Sequence, residues 1–307
     1  MVNETRKPMV VVGSINMDLV ARTPRIPLAG QTLIGTGFTT TPGGKGANQA
    51  VAAALLGYPV HMVGAVGDDV FGQALLDNLS EAGVQTGSVT RVNGPSGVAP
   101  ITVADNGENS IVVVSGANGK VDPALVDHHA DLIRSAEMVL CQLELPIPAL
   151  ERTLKICADA SVPVMLDPAP AAPLNAHVWK QIAWLTPNET EAAFYVGGTA
   201  EPETAAREFH SRGVTGVVLK RGAQGAFVSV APARASLVPA FRVAAVDTVA
   251  AGDCFNGAFA VALLEGSDPI AAARFASAAA AISVTRSGAQ ASMPTRNEVD
   301  AFLAEHA

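Results

Sequence analysis

The chain has 307 residues, of which 49% are apolar, 16% charged and 5% aromatic, enough to bury a large core as one domain or two. Twenty basic against twenty-eight acidic residues give a net charge of −8, which argues against nucleic acid or an anionic membrane as the main partner. An anionic ligand would therefore need a locally positive site.

Residues 1–9 are polar and charged, and the valine-rich run over 9–15 has the pattern of a buried first strand. No signal peptide and no apolar run of membrane-spanning length is expected. Strands are predicted over 18–21 and 33–41, separated by a Pro- and Gly-bearing loop at 24–31. A helix over 46–56 stops at Gly57, a strand follows over 60–66, and a helix over 71–82 stops at Gly83. Strands over 98–104 and 110–115 flank Asp105-Asn106-Gly107-Glu108, and Asn-Gly between β-rich runs marks a hairpin.

From there the two kinds of element alternate. Strands are predicted over 138–143, 164–166, 182–185 and 217–219, and helices over 149–160, 188–196 and 203–212. Strands over 225–230 and 235–240 lead to an extended segment at 241–246. A helix then runs from about 251 to Gly266, followed by an apolar helix over 269–285 and an amphipathic one over 295–304. This alternation implies an α/β fold with a mostly parallel central sheet flanked by helices, and the early hairpin-like strands form a small antiparallel piece. No linker divides the chain, so the reading is one domain over 1–307 with a β appendage from about 17–22, 33–41 and 98–115.

Cys141, Cys157 and Cys254 form no CxxC pair and fit a reduced, cytoplasmic setting, and the six histidines lack zinc spacing. Two stretches carry chemistry. In Asp247-Thr248-Val249-Ala250-Ala251-Gly252-Asp253-Cys254-Phe255, the small residues Ala250, Ala251 and Gly252 sit at a strand-to-helix turn, where free N–H groups can hold an anion. Asp253 in the first helical turn would repel that anion, which makes sense if it takes a proton from an attacking hydroxyl. A first-turn acid that only complements the helix dipole is the bland alternative. In Pro42-Gly43-Gly44-Lys45-Gly46-Ala47-Asn48-Gln49-Ala50, glycines let the backbone approach a ligand ahead of a helix start, and Lys45 and Asn48 add a cation and an amide. Neither a Walker A loop nor a dinucleotide GxGxxG is present.

Together these stretches resemble the ribokinase (PfkB) group of carbohydrate kinases. The resemblance extends to Gly13-Ser14-Ile15-Asn16-Met17-Asp18, Gln142-Leu143-Glu144-Leu145-Pro146, Asp167-Pro168-Ala169-Pro170, Thr186-Pro187-Asn188-Glu189-Thr190-Glu191 and Thr285-Arg286-Ser287-Gly288-Ala289-Gln290. The motifs stand in the family's order over essentially the whole chain. Many relatives have Gly-Ala-Gly-Asp where this chain has Ala250-Ala251-Gly252-Asp253, and the Ala-Ala form points toward ribose.

The resemblance implies ATP-dependent phosphorylation of D-ribose at its 5-hydroxyl, with Asp253 as general base and 250–253 as anion hole. Asn16, Asp18, Gly44, Lys45, Asn48 and Glu144 would hold the sugar with Asp253. Asn188, Lys220, Arg221, Gly222, Gly225 and Ser277 would meet ATP with Gly252 and Asp253, although Lys220 and Arg221 depart from the family's more neutral residues. Glu191, with Glu189 nearby, would act on Mg²⁺ through water. Asp247, Val249, Ser283, Arg286, Gly288 and Ser292 would form a K⁺ site. The family also implies a β lid that can pack as a homodimer. Another furanose or a nucleoside (deoxyribose, fructose, adenosine) remains an alternative substrate, and a non-catalytic sugar- and nucleotide-binding regulator an alternative role. The start of a helix at Cys254 could also lower that thiol's pKa and make it open to oxidation.

Overall fold

In the computed structural model, residues 6–199, 201–231 and 234–306 are described, so residues 1–5 of the polar start lie outside them. Among the described residues the strands are β1 (Met9–Val12), β2 (Asn16–Thr23), β3 (Gly37–Gly43), β4 (Val60–Gly67), β5 (Gln85–Val92), β6 (Gly97–Ala104), β7 (Asn109–Ile111), β8 (Met138–Cys141), β9 (Val164–Leu166), β10 (Trp184–Leu185), β11 (Gly216–Lys220), β12 (Ala226–Val230) and β13 (Arg234–Val238). Nine of them form one sheet in the order β13-β12-β11-β10-β9-β8-β1-β4-β5. Pairing is parallel from β11 to β5, and β12 and β13 add antiparallel at one edge.

The apolar runs of β1, β8 and β9 are buried on both faces, as strands covered by helices on either side must be. Met9 and Val11 point into one core, with the helices Lys45–Leu55, Ala251–Leu264 and Pro269–Ser283. Val10 and Val12 point into the other, with the helices Ile147–Ala160 and Pro202–Ser211. Small residues bring the first group of helices close. A Cβ on Gly257 would lie 2.7 Å from the Gln49 carbonyl oxygen. Trp184 meets Phe259 edge-to-face at 5.1 Å and ties this helix layer to the sheet.

Four strands form the second sheet, in the order β3-β2-β6-β7. Its outer pairings are antiparallel, the Asn-Gly hairpin among them, and its central β2–β6 pair is parallel. Only residues 13–15 separate the end of β1 from the start of β2, so one stretch of chain serves both sheets. Phe38 and Ile111 to Val114 stay exposed on it. No helix among the described residues is long and apolar enough to cross a membrane.

Four departures from the predicted elements have local causes. β5 carries Gln85, Gly87 and Arg91 at the sheet edge and offers no apolar run to detect. The helices Pro123–His128, Ala130–Ser135 and Ala176–Trp179 are too short for periodicity to show. Strand structure starts at Gly37 rather than 33, and β7 stops at Ile111, with only an isolated bridge between Val98 and Val114 beyond it. The segment 241–246 is not extended sheet: β13 stops at Val238, before Pro239, which has no N–H for a ladder, and Val246 is exposed. Ala250 to Gly252 therefore sit at a loop-to-helix turn.

Gly13 and Gly46 pack backbone against backbone where β1 meets the first helix. A Cβ on Gly46 would lie 2.6 Å from both the Gly13 Cα and the Ser14 nitrogen, neither of which can swing aside. Gly46→Ala should lower unfolding free energy by about 3 kcal/mol. A urea midpoint unchanged from the parent would contradict this close packing.

Candidate active site

The motif residues lie at the carboxyl ends of adjacent parallel strands, where open α/β sheets leave a crevice. Asn16 follows β1, Glu144 follows β8, Asp167 follows β9, Asn188 follows β10, and Lys220 ends β11. The helix Ala251–Leu264 points its N-terminus at this crevice. Ala250 caps it in the left-handed conformation, with φ 58° and ψ 8°, and no side chain bonds the first turn. The N–H groups of Gly252 and Asp253 are thus left for a ligand. Glycine would take this backbone without the Cβ clash that alanine suffers. Ala250→Gly should raise stability by about 0.5 kcal/mol, read as a higher Tm; a lower Tm would show that Cβ packing outweighs the strain.

Asp253 is buried, at 5% exposure. Its Oδ2 accepts from Asn48 Nδ2 at 2.9 Å and its Oδ1 from Gln49 Nε2 at 3.1 Å. Burial raises its pKa; Lys45 pulls it down, Asp167 pushes it up, and the two amide bonds lower it. Burial disfavours the Lys45 ammonium, but Asp253, Asp167, Glu144 and Glu191 outweigh burial and raise its pKa. Lys45 thus stands as a half-buried cation among several carboxylates.

The predicted sugar-binding residues converge beside Asp253. Glu144 Oε2 accepts from Ser14 Oγ at 2.5 Å, from the Lys45 N–H at 3.1 Å and from Asn16 Nδ2 at 3.5 Å. Gly44 makes the turn before Lys45 with φ 90°. Asp18 lies against Gly43, where any Cβ would strike its carboxylate. Burial, then the charges of Glu144 and Asp253, push the Asp18 carboxyl up to about 7. Sequence reasoning missed Asn118. Its side chain pairs with both the N–H and the carbonyl of Ile15 at 3.0 Å and donates to Asn16 Oδ1 at 2.7 Å, turning the Asn16 amide nitrogen toward Glu144. Gln290, quoted only within its motif, donates to Asn48 Oδ1 at 3.1 Å.

A cavity of about 670 Å³ opens on the other side of Asp253 and Lys45. Asn188, Glu191, Lys220, Gly222, Gly225, Ala250, Ala251, Gly252 and Ser277 all line it, with Phe241 and Phe255. Asn188 and Glu191 form a capping box for the helix Glu189–Val196, so both side chains are held by each other. Burial and Asp167 raise the Glu191 pKa, and Lys220 lowers it. The Lys220 ammonium is paired with the buried Asp167 at 3.0 Å. Arg221 departs from expectation: it does not line the cavity, because its guanidinium is drawn to Glu189 at 3.2 Å.

The six cation-site positions fall on three neighbouring segments. Asp247 accepts from the N–H of Val249 at 3.0 Å and of Gly288 at 2.9 Å, joining two of them. Ser283 and Ser292 share a hydrogen bond at 2.7 Å. The Arg286 guanidinium, itself a cation paired with Glu298 at 2.5 Å, has no acceptor to offer, so only the residue's carbonyl could serve a metal ion. Among the described residues no group of three His, Cys, Asp or Glu could hold a metal, and a cation here would rest on Asp247 and carbonyl oxygens. Cys254 overturns its expectation. It is 1% exposed, and burial, then Asp253, push its thiol up to about 12. Desolvation outweighs the helix start, and the thiol is inert.

An uncapped helix start, a buried carboxylate and a set of polar side chains beside it are the parts that phosphoryl transfer to a hydroxyl needs. The pfkB family of carbohydrate kinases matches over residues 6–296, and the chain belongs to that family. It is 47% identical to a ribokinase of Bacillus subtilis, over 95% of this chain and 98% of that one. A ribokinase of Haemophilus influenzae is 42% identical, over 98% and 100%. The solved ribokinase of Arabidopsis thaliana, complexed with ribose and ATP, superposes with a TM-score of 0.92 at 36% identity, covering 97% of this chain and 99% of that one.

Proposed function

We propose that the protein transfers the γ-phosphoryl group of ATP to the 5-hydroxyl of D-ribose. One observation carries the reading: Asp253 is a buried carboxylate that belongs at once to the polar pocket of Asn48 and to the cavity ahead of an uncapped helix. Asn16, Asp18, Gly44, Lys45, Asn48 and Glu144 hold the sugar, since a neutral polyol needs carboxylates and amides placed as a set. ATP fills the cavity, its terminal phosphate at the first-turn N–H groups. Asp253 Oδ accepts the hydroxyl proton as the oxygen attacks in line and ADP leaves, and the N–H groups of Gly252 and Asp253 stabilise the transferring charge. Lys45 keeps the pocket's net charge low enough for a polyphosphate to approach.

Glu191, facing the cavity, is the residue to hold Mg²⁺ through water, and the ion neutralises phosphate charge when bound. Asp247, with the carbonyls of Val249, Ser283, Arg286, Gly288 and Ser292, would hold K⁺, which shapes the loop before the anion hole. The four-stranded sheet, with Phe38 66% and Ile111 51% exposed, acts as a lid over the sugar and as the face of a homodimer in a single-domain cytoplasmic enzyme. Sedimentation that returns a monomer would remove the dimer.

ADP release should be fastest with ribose in a panel that includes deoxyribose, fructose and adenosine, and faster with K⁺ than without. No ADP release above background with any acceptor would sink the kinase reading. A preference for another acceptor would reassign the substrate alone.

A further inference from the structure

Gln49 follows Asn48 on the helix Lys45–Leu55 and is 1% exposed. Its Nε2 donates to Asp253 Oδ1 at 3.1 Å and to Asp167 Oδ2 at 3.0 Å, and its Oε1 accepts from Gln142 Nε2 at 2.7 Å. One amide nitrogen thus divides its two protons between two buried carboxylates. A flipped amide would set an oxygen against both, so the partners fix its orientation. The remaining Asp167 oxygen takes Lys220 Nζ at 3.0 Å.

A polar core contact would need only one of these bonds. Dividing a single donor between the base and a second carboxylate does something more specific. Two carboxylates this close repel, and one of them tends to take up a proton. A protonated Asp253 cannot accept the hydroxyl proton. We propose that Gln49 is a positioning residue for phosphoryl transfer, holding Asp253 in place and keeping it apart from Asp167 as a working base. This rests on reading Asp253 as the base.

The groups that face Asp253 are Lys45 on the helix of Gln49, Asp167 after β9, Asp18 on β2 and the neighbouring thiol of Cys254. Among them only Lys45 is a cation. The amide bonds of Gln49 and Asn48 both favour the charged form of Asp253, so losing one moves its titration upward.

The test uses Gln49→Met and Gln49→Leu in the full chain, each checked for a cooperative melt. The first readout is the carboxyl ¹³C NMR titration of Asp253 in ligand-free protein, its signal assigned by loss in Asp253→Asn. Its midpoint should rise by about one pH unit, tenfold in proton affinity. The second is the pH profile of kcat with ribose and ATP. The acid limb should move up by the same amount and kcat fall about tenfold at neutral pH, with the ribose KM changed less than about threefold. An unmoved Asp253 midpoint in either folded variant overturns the proposal, as does a rise in KM with an unmoved acid limb. Absent turnover in the parent protein would count against the kinase reading, while the NMR midpoint still decides the role of Gln49.

Discussion

Asp253→Asn should lower kcat by about 10²–10⁴-fold while ribose affinity stays within about threefold of the parent. The loss follows from the proton: an amide cannot accept it from the 5-hydroxyl. The substitution has a second effect that needs control. Asp253 accepts from two donors, Asn48 and Gln49. Asn at 253 has only one acceptor oxygen, so one of those donors would face an N–H. That mismatch costs about 1–3 kcal/mol of stability. Asp253→Ala removes the base without setting donor against donor, so both variants should be equally slow while differing in Tm. Calorimetric titration with ribose separates binding from turnover, and turnover of either variant close to the parent's would exclude Asp253 as the base.

Asp18→Asn should weaken ribose binding about 10–100-fold and yet stabilise the ligand-free protein. The Asp18 carboxyl is pushed up to about 7 by burial and by Glu144 and Asp253. The native state therefore keeps its proton up to about pH 7, while the unfolded chain releases it near the ordinary aspartate value of 3.8. For a carboxyl raised in this way, stability is fully present below the unfolded value and is lost as pH rises through the folded one. Asn carries no such burden. The Tm of Asp18→Asn should exceed the parent's most above pH 7, and the gap should close toward pH 4. A gap independent of pH would show that Asp18 is not held neutral in the free protein.

Much of this architecture is legible from residues alone because its signals are local. β1, β8 and β9 are short unbroken apolar runs, which only a doubly covered sheet needs. Asn106-Gly107 announced its hairpin by turn chemistry. What stayed hidden depends on distant partners. Gln49 meets Asp253 across 204 residues and Asn118 meets Asn16 across 102, and neither amide stands out from any other in sequence. Arg221 looked free for phosphate until Glu189 was found beside it. For Cys254, position on the helix was visible but burial was not, and burial decides the thiol.

The short link between the two sheets also limits how such a protein can vary. The chain passes between them at 13–15, at 43–45, near 93–97 and at 115–118. The first two crossings carry Ser14, with Asn16 just beyond, and Gly44 with Lys45, while at the last Asn118 grips Ile15. The small sheet is therefore not a detachable module. It cannot be deleted, grafted or replaced by a foreign unit without dismantling the polar pocket at its base. Room for insertions lies at its far ends, in the exposed turn 105–108 and the loop 24–36, which are spliced to nothing below.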